Sequence, residues 1–203
     1  ERDAVVVGHD WGGVLAWSAA TMHPDVVSAL VILSTAHPMR HRESVLQDPR
    51  GQLRASWYMF AAQAPWLAEK KLVRDDARAV VEILEEWGGP GYPDEQTRAM
   101  YREAIQVRHV SNTALEYYRW MIRSLARPSG IRYFKRMQQP IAAPTLQLHG
   151  SLDTSVLPRT ALGSGRYVSG TYEWQQVENA GHFLPEEAPD IVSAEIIRWA
   201  KER

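Results

Sequence analysis

Four short runs along the chain, at residues 4–7, 29–33, 144–149 and 172–177, read as buried parallel strands from their apolar positions. The first two show no polar alternation, the pattern of strands covered on both faces, so a parallel sheet flanked by helices is predicted. Residues 12–22 follow the first strand at once as a packed helix that ends before His23-Pro24. Residues 190–202 place Val192, Ile196 and Trp199 on one helical face, with Pro189 near the start. Residues 36–143 carry almost no strand signal. Helices are predicted there over 53–70, 76–87, 94–109 and 112–126, punctuated by Gly88-Gly89-Pro90-Gly91 and Arg127-Pro128-Ser129-Gly130. The pattern is an α/β chain interrupted by a helical block. In a sheet laid down in chain order, strand 4–7 stands at an edge. An apolar, unprotected edge invites aggregation. More sheet is therefore expected before Glu1-Arg2-Asp3, which runs directly into that strand, and the chain is expected to be a fragment.

Composition narrows the chemistry. Lys plus Arg number 23 against 24 Asp plus Glu, a net charge of -1 that gives no electrostatic reason to expect nucleic acid or an anionic membrane as partner. There is no cysteine, which excludes disulfides, thiolate metal sites and cysteine nucleophiles. No apolar run approaches the roughly 20 residues that span a bilayer. A cytoplasmic location is the expectation, and assembly into a homo-oligomer is left open. His37, His41 and His109 lack partners at metal-binding spacing, so neither a metal nor an organic cofactor is expected.

The segment Val5-Val6-Val7-Gly8-His9-Asp10-Trp11-Gly12-Gly13 reads as strand, tight turn and helix start. Small residues two before and two after Asp10 allow a strained elbow that holds its side chain above the sheet. The helix behind it points N–H groups at the same spot. A carboxylate here can attack a saturated carbon and form an ester on the protein, where a serine would attack acyl carbon. The plainer alternative is that Asp10 caps the helix.

GHDWGG after an apolar strand resembles the epoxide hydrolase and haloalkane dehalogenase branch of the α/β-hydrolase superfamily, and the resemblance covers the whole chain. It implies an α/β-hydrolase fold in which residues 1–35 and 144–203 form a partial core and residues 36–143 an all-helical cap. Past the third strand comes His149-Gly150-Ser151-Leu152-Asp153, and past the fourth Gly181-His182-Phe183. Chemistry in parallel sheets collects at the carboxyl ends of strands. Asp10, Asp153 and His182 stand there in the nucleophile, acid, base order of that fold. Asp25, Glu178 and Asp190 are weaker rivals for the acid. Some dehalogenases carry it after the strand that follows the nucleophile helix, but Leu33-Ser34-Thr35-Ala36-His37 holds no carboxylate. The Trp11 backbone N–H is the expected oxyanion donor.

Within the cap, Ser56-Trp57-Tyr58-Met59-Phe60 is similar to the first cap helix of epoxide hydrolases, with Tyr58 matching their first epoxide-binding tyrosine. Glu116-Tyr117-Tyr118-Arg119-Trp120 is similar to the segment bearing the second; the register favours Tyr118, with Tyr117 as alternate. Leu53, Trp57, Phe60, Ala64 and Leu67 share a helical stripe that leaves Tyr58 off it, whereas Tyr118 shares a face with Leu115, Ile122 and Leu125. Both tyrosines could equally be helix-packing residues. His9, Trp57, Phe60, Trp66 and Phe183 are the candidates for the substrate pocket, His9 as an elbow residue and the cap aromatics as cap core and pocket wall.

The resemblance implies hydrolysis of a small apolar epoxide to a diol, with water as co-substrate. The alternatives are a haloalkane dehalogenase with the same triad, or a non-catalytic binding protein of this fold. The family's His-Gly-x-Pro turn, source of a second oxyanion donor, is not among the 203 residues, so an incomplete oxyanion hole is expected if they act alone.

Overall fold

The structure, a computed structural model, describes residues 3–202. The predicted run through Glu1 and Arg2 lies outside the described residues. Four parallel strands form one sheet in chain order: β1 (Ala4–His9), β2 (Val27–Leu33), β3 (Thr145–Gly150) and β4 (Tyr172–Val177). Strand β1 stands at the edge among the described residues, as the connection rule predicts, with Val7 42% exposed.

The continuous apolar character of β2 has a direct cause. Leu30 and Ile32 point into one core layer with Ala16, Trp17 and Ala20 of helix α1 (Trp11–Met22). Ala29, Val31 and Leu33 point into the other, with Leu146, Leu148, Val192 and Trp199. Alternate residues serve opposite faces, and both faces are covered. Each buried Leu, Ile or Val side chain among these contributes about 1.5–3 kcal/mol.

Between β2 and β3 runs the helical block: α2 (Pro38–Gln47), α3 (Gln52–Ala55), α4 (Trp57–Ala61), α5 (Leu67–Trp87), α6 (Glu95–Gln106), α7 (Val110–Ser124) and α8 (Pro128–Arg136). After β3 come α9 (Pro158–Leu162) and a 3-10 turn at Gly163–Tyr167. After β4 come α10 (Leu184–Glu187) and α11 (Pro189–Lys201), whose Val192, Ile196 and Trp199 face the sheet as their spacing predicts.

The block departs from its predicted layout in three places. The expected helix 53–70 is broken at Ser56 and again at residues 62–66, where Trp66 takes φ 63. The break expected between 70 and 76 survives as a non-helical stretch, Arg74 to Ala77, inside α5. Helices α2 and α8 were not expected; each has Pro in its first turn, where the missing N–H costs nothing. Gly130, read as punctuation, lies inside α8 because α7 approaches closely: a Cβ there would lie 2.0 Å from the Ser124 carbonyl oxygen.

Candidate active site

The pairing register aligns the carboxyl ends of the strands, His9 beside Leu33 and Gly150 beside Val177. Asp10, Asp153 and His182 each follow such an end and meet above it. At Asp10 the backbone takes φ 49 and ψ -118, in the left-handed range that side chains avoid. The glycines explain how the turn closes. A Cβ on Gly8 would lie 2.3 Å from the Gly12 carbonyl oxygen, and one on Gly13 would lie 2.3 Å from Thr35 Cγ2. Gly12, expected to be one of the necessary small residues, faces nothing within 4 Å, so the steric demand falls on Gly8 and Gly13. As the residue before α1, Asp10 makes no side-chain capping hydrogen bond, and its carboxylate lies beside His182.

His182 lies between the two carboxylates. Its Nδ1–H donates to Asp153 Oδ2 at 2.9 Å, and its Nε2 stands 3.4 Å from Asp10 Oδ1. The Asp153 carboxylate also accepts at Oδ1 from the backbone N–H groups of Ser155 and Val156, both at 2.9 Å. Burial alone would push His182 down, but the charges and hydrogen bonds of Asp153 and Asp10 outweigh it and raise its pKa to about 10. Burial works against the Asp10 carboxylate too, yet its bonds to His182 and to the Trp11 backbone N–H hold it below the usual range. The side chain of Asp10 keeps 36% exposure, so water reaches it, while His182 keeps 2%.

The helical block brings both expected tyrosines over Asp10. The rings of Tyr58 and Tyr118 meet edge to face at 5.4 Å. The Tyr58 hydroxyl lies 3.3 Å from Ser155 Oγ, and the Trp11 ring lies edge-on to that of Tyr118 at 5.4 Å. Burial first, then the Asp10 charge among others, raises both phenols above their ordinary value, so both hold their protons at neutral pH. Tyr117 also touches Trp11, at 5.3 Å, but is 52% exposed and is not packed against Tyr58.

The remaining pocket candidates divide. The ring of His9 lies 5.3 Å from that of His182, and its Nε2–H donates to the His182 carbonyl at 2.8 Å. Phe183 is buried, edge-on to His182 and stacked on Tyr92. Trp57, Phe60 and Trp66 are not brought to the cluster and do not build a buried core. They are exposed, because the breaks at Ser56 and 62–66 dissolve the expected stripe and turn Met59 and Ala62 inward instead.

Three neighbours were not anticipated. Trp87, at the end of α5, lies edge-on to His182 at 5.5 Å and 4.7 Å from Tyr58. His149 is fully buried, its Nε2–H donating to the Val156 carbonyl at 2.7 Å and the same nitrogen standing 3.3 Å from Asp153 Oδ2. Gln52, also fully buried, donates to the Ser155 carbonyl and accepts from the Leu157 N–H, tying the helical block to the Asp153 loop. His149, a neighbour of Asp153 at the end of β3, is the one that sequence position alone signals. Among the described residues no group of three or more His, Asp or Glu is placed to hold a metal ion, and no helix is long and apolar enough to cross a membrane.

Known proteins resemble this chain in sequence and in fold. Epoxide hydrolase 3 of Xenopus tropicalis is 28% identical over 98% of this chain and 53% of its own length. Epoxide hydrolase A of Mycobacterium tuberculosis is 25% identical over 97% of this chain and 68% of its own. Among solved structures, a mutant of an epoxide hydrolase from Bacillus megaterium matches with a TM-score of 0.81 at 20% identity, covering 98% of this chain and 70% of that one. A loop variant of a haloalkane dehalogenase from Bradyrhizobium elkanii matches at 0.75 and 21% identity, covering 98% and 67%. At such identities the structural likeness shows the fold alone. The chain spans about half the length of curated relatives such as the first. A family model described as the alpha/beta hydrolase fold matches residues 2–189, from the first strand through the His182 loop, and the chain belongs to that family.

Proposed function

We propose that this chain carries the catalytic residues of an epoxide hydrolase, with residues 36–143 acting as a cap over the site. The observation that carries the reading is the pair of protonated phenols, Tyr58 and Tyr118, facing each other above Asp10. An alkoxide leaving from an epoxide is strongly basic and needs a proton as it departs; a halide does not.

In the first step an Asp10 oxygen attacks one ring carbon, the C–O bond of the ring breaks, and a phenol gives its proton to the departing oxygen. The result is an ester on Asp10, a hydroxyl on the substrate and a phenolate in the cap. Esterification removes the Asp10 charge, one of the two that hold His182 protonated. His182 then gives its proton to the phenolate, which becomes a phenol again, and stands as the neutral base, still supported by Asp153. Water attacks the ester carbonyl as His182 takes its proton, and the oxyanion forms beside the Trp11 N–H. Collapse of the tetrahedral oxyanion breaks the ester C–O bond and the departing diol oxygen takes the remaining proton of the attacking water, which leaves the diol, the Asp10 carboxylate, a protonated His182 and both phenols.

The test is intact mass after mixing with a panel of small apolar epoxides. His182→Gln should accumulate an adduct on Asp10 that wild type turns over. No adduct on any epoxide supports the binding-protein alternative. An adduct from haloalkanes that survives in Tyr58→Phe/Tyr118→Phe supports the dehalogenase.

A further inference from the structure

His182 is fixed by its main chain as closely as by its ring, and the anchor is a carboxylate outside the triad. Glu187 Oε2 accepts from the backbone N–H of Gly181 at 2.7 Å, and its Oε1 from that of Phe183 at 2.8 Å, one on each side of His182. The same Oε2 accepts from the N–H of Gly89, at 2.7 Å, in the turn that ends α5. The N–H of His182 itself donates to the Trp87 carbonyl at 2.8 Å, in that same turn. Charge-assisted bonds of this length are stronger than neutral ones. The two backbones touch without room for side chains. A Cβ on Gly181 would lie 2.3 Å from the Trp87 carbonyl oxygen, and one on Gly89 would lie 2.6 Å from that of Asn179.

We propose that Glu187 is a positioning residue that holds His182 in line with Asp153 and Asp10 and couples that setting to the helical block through Gly89. The kinetic consequence rests on the reading of His182 as the base. The structural one does not. With Glu187→Gln, one amide group faces backbone N–H groups with donors of its own, so the clamp cannot accept all three bonds.

The experiment is NMR on the full chain with labelled backbone amides and histidines. Glu187→Gln should raise hydrogen exchange about tenfold or more at Gly89, Gly181 and Phe183 together, and should shift or broaden the low-field His182 Nδ1–H resonance that reports its bond to Asp153. Glu187→Asp, which keeps the charge, should restore part of both. In turnover, kcat should fall about 10–100-fold with the Asp10 ester accumulating and the esterification rate unchanged, the mark of a displaced base. An unchanged His182 resonance, or exchange that rises at Gly181 and Phe183 but not at Gly89, overturns the proposal. Should the variants fail to fold, native-state exchange of wild type decides: one common opening free energy at the three amides supports the clamp, and a separate one at Gly89 overturns it. A wild type that forms no ester with any epoxide removes the enzymatic reading alone, because the resonance and exchange measurements stand without it.

Discussion

His182 is fastened through its ring and its main chain, by Asp153, Glu187, Trp87 and His9, whereas the phenols of Tyr58 and Tyr118 hang from the helical block by one long hydrogen bond, one indole contact and ring stacking. The His182 end stands on paired sheet strands whose ends are pinned by their register. The phenol end stands on helices with thin cores: α6 buries no residue, and α7 buries only Leu115 and Arg119. A proton transfer that recurs at one fixed atom suits the first construction. Meeting epoxides of different shape suits the second, where aromatic contacts slide at little cost.

Removing the base breaks this comparison most severely. His182→Gln should lower turnover about 10⁴-fold while Asp10 still esterifies at close to the wild-type rate, read by rapid-quench mass spectrometry. Tyr58→Phe and Tyr118→Phe come next, each lowering the esterification rate about 10²-fold with ester hydrolysis unchanged. Equal loss in both steps from either tyrosine variant would mean that the two ends are not separate devices.

The same division governs how much was legible in the amino-acid pattern. Strand β2 was readable because burial on both faces leaves an apolar run, and Asp10, Asp153 and His182 because each follows a strand end. The last residues of β1, Gly8 and His9, were read as turn because glycine punctuates most chains, yet here it allows the helix to approach. Glu187 and Gly89 lie 98 positions apart and meet through a backbone N–H, which no side-chain pattern announces. The exposed Trp57, Phe60 and Trp66 misled for the converse reason: apolar spacing predicts a buried stripe only while the helix continues, and this one breaks twice.

The helical block has a fastener of its own. Arg119, 2% exposed, donates to the Ala62 carbonyl at 2.9 Å, to Glu69 at 2.7 Å and to Glu116 at 3.1 Å, joining α7 to the segments before it. Arg119→Ala leaves those acceptors without their cation and should cost about 3 kcal/mol in urea unfolding. If the two ends are separately secured, exchange protection at Ser155 and Val156 survives this substitution.

Histidines sharpen the contrast through pH. His182 has its folded pKa raised to about 10, so its contribution to stability is fully present below about 6.5 and is lost as pH climbs through 10. Burial lowers His37 to about 3, with the Arg166 charge assisting, and His41 to about 4. Their contribution has the opposite sign: present above about 6.5 and lost as pH falls toward those values. Urea midpoints against pH should therefore decline on both sides of about 6.5. Asp10→Asn should flatten the alkaline limb, because one of the two charges that raise His182 is gone.

The smallest effect tests the bridge between the two ends. Ser155 is buried; its N–H serves Asp153, while its hydroxyl meets the Tyr58 phenol at 3.3 Å. In the proposed reaction Tyr58 gives its proton to the epoxide oxygen and Ser155 can donate to the phenolate left behind, a bond that favours the ionised form of Tyr58. Ser155→Ala deletes that donor and keeps the backbone N–H on Asp153. A bond this long contributes about 1 kcal/mol at most, so esterification should slow by roughly three- to fivefold. The pH at which Tyr58 ionises should rise, and hydrolysis of the ester should keep its rate. Should Ser155→Ala slow ester hydrolysis instead, the hydroxyl acts on Asp153 and His182, and the phenol end owes its placement to ring contacts with Trp87 and Tyr118 alone.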